Sequence, residues 1–239
     1  MKFLFVLILF ITNILFSKDI HLLTEPRPPF QIETKNGLAG IGADLIKEIQ
    51  KKVGNKKDIT VFPWKRSYYL TMNKKGYALF LTTRSKEREK LFKWVGPISS
   101  INLKFFKNAS REDLQINSLD DARKVSSIIL EEDTISTQIL KKLEFKNLDI
   151  NSISNYVFDK LIENKADLYI SDEISFRYRL KLLNLENKIV PVKMKPFYSA
   201  KLYIAFNKDT DDKTIQKWQK ALDEIKKDGT YLKILERYK

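Results

Sequence analysis

The sequence predicts an α/β fold with mainly parallel strands. Short apolar runs alternate with segments of helical spacing from residue 20 to the C-terminus, and neither a repeat nor a Gly/Ser-rich linker interrupts them. Such alternation is typical of sheets covered by helices. The roughly 220 residues after residue 17 suit one large or two small domains, which can bury a core without disulfides.

Each element follows from the spacing of apolar residues. Strands are predicted where short apolar runs end at turn residues, and helices where apolar residues recur every three or four positions. The predicted strands are 20–23, 59–62, 77–81, 125–130, 166–171 and 202–206. The predicted helices are 44–53, 65–73, 134–143, 155–163, 173–183, 211–227 and 231–238. Extended runs at 99–106 and 196–206 would let the chain cross between two domains.

The first 17 residues have the composition of a cleaved secretory signal peptide. Lys2 provides the positive start, residues 3–16 are almost wholly apolar, and Ser17 is a small residue at the expected cleavage point. The apolar run is shorter than the ~20 residues of a membrane-spanning helix, although an uncleaved anchor is the alternative. The chain has no cysteine, which excludes a lipoprotein anchor and disulfides. We therefore expect a soluble periplasmic protein.

The net charge of +14 does not predict a nucleic-acid partner. The lysines are spread along the chain rather than gathered in a stripe, and export removes the usual nucleic acids. The excess charge favours solubility and attracts anions. With one histidine, His21, and no cysteine, a zinc site is not expected. No nucleophile motif or phosphate-binding loop predicts catalysis or a cofactor.

One segment, residues 82–97, carries the chemistry of an anion site. It follows the predicted strand 77–81, begins with two threonines, includes Arg84 and Arg88, and ends in an aromatic-Gly-Pro turn. An arginine guanidinium binds a carboxylate through two parallel hydrogen bonds, and threonine hydroxyls rotate to meet the remaining lone pairs. The alternative is a solvated surface segment, which is the commoner role of mixed Arg, Lys and Glu.

Three stretches in order along the chain point to a family. Residues 40–45 are Gly-Ile-Gly-Ala-Asp-Leu, residues 85–97 combine Ser-Lys-Glu-Arg with Trp-Val-Gly-Pro, and residues 227–234 contain Asp-Gly-Thr-Tyr. Behind a signal peptide, they resemble the bacterial extracellular solute-binding proteins that serve polar amino-acid ABC transporters. The resemblance covers essentially all of the chain after the signal peptide.

The resemblance implies a two-lobed periplasmic binding protein fold of type II. Lobe one would comprise residues 18–100 and 203–239, and lobe two residues 101–202, joined by two crossing strands. A ligand cleft lies between such lobes, which close by hinge motion. The implied function is binding, without chemistry or a cofactor, of an amino acid or small organic acid. The implied partner is an ABC permease in the inner membrane, and the implied state is a monomer.

The same resemblance implies that Arg88, Thr83 and Asp172 bind the ligand. Arg88 matches the family arginine that pairs with the α-carboxylate, and Thr83 matches a position that contacts the same group. Asp172 matches the aspartate that receives the ammonium group. A helix N-cap is the alternative for Asp172, because aspartate is favoured there and a helix follows, and both roles are compatible.

Two further positions remain open between ligand binding and structure. Thr134 begins a predicted helix where the family presents amides to the carboxylate, and helix N-termini suit anions, but Asp133 replaces the usual glycine. Trp64 falls where the family has an aromatic that stacks on the ligand, and core packing is the alternative.

Arg27 and Arg66 extend the predicted site toward acidic ligands. Arg27 takes a position where the family often has an aromatic, and Arg66 is near Trp64 in sequence. If both reach the cleft, a ligand with a second negative group is expected. Glu25 could neutralise Arg27, and Arg66 could equally face solvent.

Two other functions compete with transport. A dehydratase on the same fold would use a cleft carboxylic acid, Glu173 or Glu25, as general acid. A ligand-sensing lobe would act on a membrane receptor through a partner. A ligand without an ammonium group would leave Asp172 unpaired, which separates these functions from amino-acid binding.

Overall fold

A computed structural model describes residues 19–132, 134–151 and 156–238. The signal peptide predicted for residues 1–17, Asp133 and the first residue of the helix predicted at 155–163 lie outside them. No helix in the described part of the chain is long and apolar enough to cross a membrane.

The chain alternates between strands and helices, as the sequence predicts. The strands are β1 (His21–Thr24), β2 (Ile32–Thr34), β3 (Gly37–Ala39), β4 (Thr60–Val61), β5 (Tyr77–Thr83), β6 (Phe92–Asn108), β7 (Ile128–Glu131), β8 (Leu148–Asn151), β9 (Leu168–Asp172), β10 (Ile189–Pro191) and β11 (Tyr198–Asn207). The helices are α1 (Ile41–Val53), α2 (Trp64–Asn73), α3 (Leu119–Lys124), α4 (Ile135–Lys142), α5 (Tyr156–Ile162), α6 (Glu173–Leu182), α7 (Asp212–Lys227) and α8 (Thr230–Glu236).

Nine strands form one continuous sheet in the order β4-β1-β5-β11-β6-β9-β7-β8, with β10 on β6. The two ends of the sheet are parallel, as expected: β1 pairs with β4 and β5, and β7 pairs with β8 and β9. The centre is antiparallel, because β6 and β11 pair with each other and with β9 and β5 respectively. The expectation of mainly parallel strands is therefore wrong for the centre.

Buried apolar side chains form three clusters. The first lies around β1, β5 and the first half of β6, under α1 and α7, and includes Ile101 and Leu202. The other two lie around β7, β9 and the second half of β6, and the second cluster begins at Leu103. The strands β6 and β11 thus run from one packed region to the other, as predicted for the crossing segments.

The helix boundaries follow local chemistry. The helix α1 ends at Gly54 in the left-handed conformation, with φ of 70°, which glycine adopts without strain. The helix α7 begins after Asp211, whose carboxylate accepts a hydrogen bond from the Thr214 amide at 2.8 Å. Its buried face contains Trp218, Leu222 and Ile225, which confirms the helix predicted over 211–227.

Several elements were not predicted. The hairpin β2–β3, the helix α3 and the strands β8 and β10 are short and lack a clear period. The predicted turn at residues 94–97 is wrong, because these residues lie inside β6. Trp94 and Val95 pair with Ala205 and Ile204 of β11, and the register then shifts before Ser99, so that Gly96 and Pro97 lie in an irregular stretch of the strand.

Candidate functional site

The carboxyl ends of the parallel strands in the two regions face each other across a short stretch of β6. Thr83, the last residue of β5, pairs with Leu202, which pairs with Ser99 of β6. Asp172, the last residue of β9, pairs with Leu103 of β6. Ser99 and Leu103 are four residues apart, which is roughly 13 Å along a strand. Ligands bind outside the carboxyl ends of strands in open α/β sheets, so this stretch marks the candidate site.

Arg88 lies in the turn between β5 and β6, against two aromatic rings. Its guanidinium carbon is 5.2 Å from the ring centroid of Trp64 and 5.4 Å from that of Tyr68. Its Nη1 group donates a hydrogen bond of 3.3 Å to the carbonyl of Thr83. Within the described residues, no carboxylate lies within ion-pair distance of Arg88, although its charge acts on the adjacent, exposed Glu87. A half-buried guanidinium without an anion is suited to bind one.

The sequence-predicted residues Thr83 and Trp64 therefore adjoin Arg88. Thr83 is half-buried and ends β5. Trp64 is the first residue of α2 and is also half-buried, so it does not belong to the apolar core. The structure thus brings together three of the residues that the sequence selected.

The other arginines of this region differ in their contacts. The Arg66 guanidinium lies 3.8 Å from the centroid of the Phe62 ring, and that of Arg27 lies 5.6 Å from the Phe30 ring. Arg84 forms a bidentate ion pair with Glu89, at 2.7 and 2.5 Å. The Arg84 guanidinium is therefore already paired with a carboxylate of the protein itself.

Glu25 follows β1 at the same edge of the sheet. Burial raises the pKa of its carboxyl group above the ordinary value of 4.5, and the nearby charge of Arg27 opposes this rise. A carboxyl group of this kind holds a proton more readily than an exposed one.

Asp172 is buried and caps α6. Its Oδ2 atom accepts hydrogen bonds from the amide and hydroxyl of Ser175, both at 3.0 Å, and its Oδ1 atom accepts one from the Asn102 amide of β6 at 3.1 Å. The N-cap role that the sequence allowed is therefore present. The carboxylate also contacts the crossing strand directly, and Asn102 in turn accepts a 2.7 Å hydrogen bond from the Ser199 hydroxyl of β11.

Thr134 caps α4 in the same way. Its hydroxyl accepts a hydrogen bond from the Thr137 amide at 3.2 Å and donates one to the Glu131 carbonyl at 3.0 Å. The Glu131 carboxylate accepts hydrogen bonds from Tyr169 at 2.8 Å and Arg179 at 2.6 Å. The helix start is therefore ordered by the protein's own groups.

Glu173, one of the two candidate general acids, is held between cations. It lies 3.4 Å from the Lys104 ammonium and 3.0 Å from the Arg177 guanidinium. Its carboxylate is therefore already engaged by two side chains of the protein. Glu25 is the better candidate of the two.

Sequence reasoning missed Tyr68 and Asn102. Tyr68 follows Trp64 by four residues in α2, a spacing that places two side chains on one helix face, so the pattern could have revealed it. Asn102 acts through its backbone amide, which no sequence pattern identifies.

A family model, described as bacterial extracellular solute-binding proteins, family 3, matches residues 20–239. The chain belongs to this family. A comparison with curated proteins gave no significant match.

Solved structures show that this family 3 protein has the two-lobed periplasmic binding protein fold. An ancestral arginine-binding protein bound to glutamine is 25% identical, with a TM-score of 0.71 over 92% of this chain and 97% of that one. An ancestral amino-acid-binding protein described as a precursor of cyclohexadienyl dehydratase is 23% identical, with a TM-score of 0.73 over 92% and 94%. A histidine kinase sensor domain similar to periplasmic binding proteins is 17% identical, with a TM-score of 0.74 over 92% and 95%.

Proposed function

We propose that this family 3 protein is the substrate-binding component of an ABC transporter and binds a small amino-acid-like solute by hinge closure. Lobe one comprises residues 18–100 and 203–239, and lobe two comprises residues 101–202. Residues 1–17 direct export to the periplasm and are removed. The protein then delivers its solute, as a monomer, to a permease in the inner membrane.

The observation that carries this proposal is the position of Arg88. Its guanidinium has aromatic faces beside it and no anion, at a strand end that faces Asp172 across a short stretch of β6. Arg88 binds the solute carboxylate, with Thr83 beside it and Trp64 stacked on the solute. Asp172 receives the ammonium group, since a carboxylate oxygen can accept more than one hydrogen bond. Thr134 lies at the start of α4 in lobe two, where it faces the same cleft.

An acidic solute fits Arg27 and Arg66. Arg66 stacks on Phe62 within the described ranges, and Arg27 lies near enough to Glu25 for their charges to interact, so a second negative group would compete with Glu25 for Arg27. Arg27→Ala is then expected to weaken binding of L-glutamate about tenfold more than that of L-glutamine, which has the same shape without the charge. Isothermal titration with both amino acids measures this difference. Equal losses would contradict an acidic solute.

A thermal-shift screen tests the proposed function. The protein is expressed from the full chain, unfolded and refolded to remove carried-over solute, and screened against amino acids, dicarboxylates and small organic acids. A solute that binds only the folded state raises the Tm by mass action. We expect a shift with an α-amino acid that is lost in Arg88→Ala and in Asp172→Ala. Shifts only with acids that lack an ammonium group would contradict the role of Asp172.

A dehydratase is the second candidate function, and the raised pKa of Glu25 favours it. A carboxyl group that holds its proton more readily than an exposed one is better suited to act as a general acid. Incubation with cyclic dienol acids distinguishes the two, because a transporter component binds and releases its solute unchanged. Turnover by the wild type that is lost in the Glu25→Gln variant would mean that the protein is an enzyme rather than a transport component.

A ligand-sensing role is the third candidate, and the similarity to a kinase sensor domain favours it. Cross-linking of the solute-bound protein in membranes would distinguish a receptor partner from a permease.

A further inference from the structure

Tyr68 places a second aromatic ring, beside that of Trp64, against Arg88, the arginine proposed to bind the solute carboxylate. The two rings have centroids 5.6 Å apart on one face of α2. The Arg88 guanidinium lies almost equally far from both, at 5.2 and 5.4 Å. Trp64 therefore accounts for only half of the aromatic surface around this cation.

Tyr68 is itself held by the crossing strand. Its ring meets that of Phe92 edge to face, with centroids 5.2 Å apart and an interplanar angle of 77°. Phe92 is buried and is the first residue of β6, which runs on to the stretch between Ser99 and Leu103. The position of the Tyr68 ring is thus fixed relative to the strand that passes the candidate site.

A fixed ring beside Arg88 has a consequence for binding. An arginine side chain has many rotamers, and ordering it when a ligand arrives costs free energy. Aromatic faces attract the guanidinium and limit where its plane can lie before the ligand binds. A guanidinium that is already ordered before binding increases affinity, because less conformational entropy is lost when the ligand associates.

We infer that Tyr68 is a positioning residue of the carboxylate site and acts through Arg88. This inference rests on the proposed function, in which Arg88 binds the solute carboxylate. It assigns Tyr68 to the recognition of the carboxylate group rather than of the solute side chain.

The chain offers a matched control in the next residue. Tyr69 has the same side chain on the same helix, but 62% of it is exposed to solvent. Replacing Tyr69 tests the general effect of losing a tyrosine from α2. Tyr68→Phe tests the hydroxyl alone, since it keeps the aromatic face.

The experiment is isothermal titration of four proteins: wild type, Tyr68→Leu, Tyr68→Phe and Tyr69→Leu. Two probes are used. The first is the amino acid that the wild type binds most tightly among L-glutamate, L-glutamine and L-arginine. The second is the α-carboxamide of that amino acid, whose binding is measured by competition. We expect Tyr68→Leu to weaken binding of the amino acid about five- to thirtyfold. Binding of the carboxamide should change less than about twofold, as should both affinities of Tyr68→Phe and Tyr69→Leu.

Two outcomes would overturn the inference. An equal loss for the amino acid and its carboxamide in Tyr68→Leu would mean that Tyr68 only shapes the cleft, and so would a loss no larger than that of Tyr69→Leu. If Tyr68→Leu does not fold, Tyr68→Met replaces the ring with a flexible, unbranched side chain that adapts to irregular gaps, and it is judged by the same comparison. If the wild type binds none of the three, the amino acid found in the thermal-shift screen replaces them; if that screen finds no α-amino acid, the proposed function fails first and the inference fails with it.

Discussion

At the scale of single residues, Asp172 combines two roles that a substitution can separate. It caps α6 through Ser175, and in the proposed function it also receives the solute ammonium. Asp211 also caps a helix, α7, through hydrogen bonds of 2.8 Å from the amide and hydroxyl of Thr214, but it is exposed and lies on the side of the first cluster. The two aspartates therefore share the N-cap role, and they differ in position, in burial and in the further hydrogen bond that Asp172 accepts from Asn102.

We expect Asp211→Ala to lower the free energy of unfolding by about 1–2 kcal/mol, the usual cost of losing an N-cap, and Asp172→Ala to lower it further, because the Asn102 amide also loses its acceptor. Asp172→Ala should also abolish binding of the amino acid, whereas Asp211→Ala should leave its Kd unchanged. Urea unfolding and isothermal titration measure the two effects. Unaltered binding in Asp172→Ala would limit Asp172 to its structural role.

Glu25 predicts a dependence of stability on pH. Because burial raises its pKa, the folded protein binds this proton more tightly than the unfolded chain does. The free energy of unfolding therefore falls as the pH rises from the ordinary value of 4.5 through the raised folded value. Glu25→Gln removes this loss, so the variant should be more stable than the wild type at about pH 7 and lose that advantage at about pH 4.

Asp211 provides a control of opposite sign. Hydrogen bonds from Thr214 lower its pKa, so its stabilising effect is present above the ordinary value of 3.8 and is lost as the pH falls through the lowered value. Asp211→Asn should thus be less stable than the wild type at about pH 7, and the difference should shrink in acid. Urea titrations at about pH 7 and pH 4 measure Glu25→Gln, whereas Asp211→Asn is measured at about pH 7 and pH 2, since its effect is lost only below the ordinary value of 3.8. A Glu25→Gln variant that is equally destabilised at both of its pH values would contradict the burial of its charge.

At the scale of elements, each of the two crossing strands ends in an asparagine whose side-chain amide donates hydrogen bonds to the end of a helix. The side-chain amide of Asn108, at the end of β6, donates to the carbonyls of Leu161 and Ile162 at 3.2 and 3.0 Å. That of Asn207, at the end of β11, donates to the carbonyls of Thr71 and Met72 at 3.0 and 3.1 Å. Each asparagine thus ties a crossing strand to the end of a helix, α5 or α2.

Asn207→Ala would leave two helix-end carbonyls without their donor in a buried position. We expect a loss of ~2 kcal/mol in the free energy of unfolding, and a Tm lower by roughly 4–8 °C for a chain of this size. The exposed Asn36 is the control, and Asn36→Ala should change the Tm by less than about 2 °C. Equal effects of the two substitutions, measured by circular dichroism, would rule out this role of Asn207.

Sequence patterns predicted the long elements because burial sets their period. The face of α7 with Trp218 and Leu222, and the apolar run of β5, follow directly from residue spacing. The extended path of residues 94–97 could not be read in the same way. Gly96 and Pro97 are typical of turns, and in the structure they lie in the irregular stretch of β6 where the register with β11 shifts.

Gly96 shows how that path depends on a distant residue. Its φ of 150° favours glycine, and a β-carbon there would lie 2.5 Å from the Tyr203 ring. Nothing local in the sequence indicates this contact. For the site, a family pattern selected Arg88 and Thr83, but it did not indicate Tyr68, whose position depends on Phe92.

At the scale of the whole molecule, the proposed function requires the two lobes to approach each other when the solute binds. The crossing strands β6 and β11 carry the connection, and Asp172 touches β6 at Asn102 within the stretch that separates the two strand edges. A solute that joins Arg88 to Asp172 therefore joins groups on either side of this stretch. Closure then depends on the solute, because without it the two charges have no bridge.

Fluorescence energy transfer tests this closure, and the absence of cysteine from the sequence makes specific labelling simple. Lys65→Cys on α2 and Lys181→Cys on α6 place dyes on exposed positions of lobes one and two. We expect the transfer efficiency to rise when the amino acid is added and to stay constant when Arg88→Ala is also present. Lys65→Cys with Lys217→Cys, both in lobe one, should show no change with or without solute. Bound solute can shift the equilibrium between the open and closed forms only by the difference in its affinity for them. Tight binding without a change in transfer efficiency would mean that the lobes are already closed or do not move. Hinge closure would then be wrong.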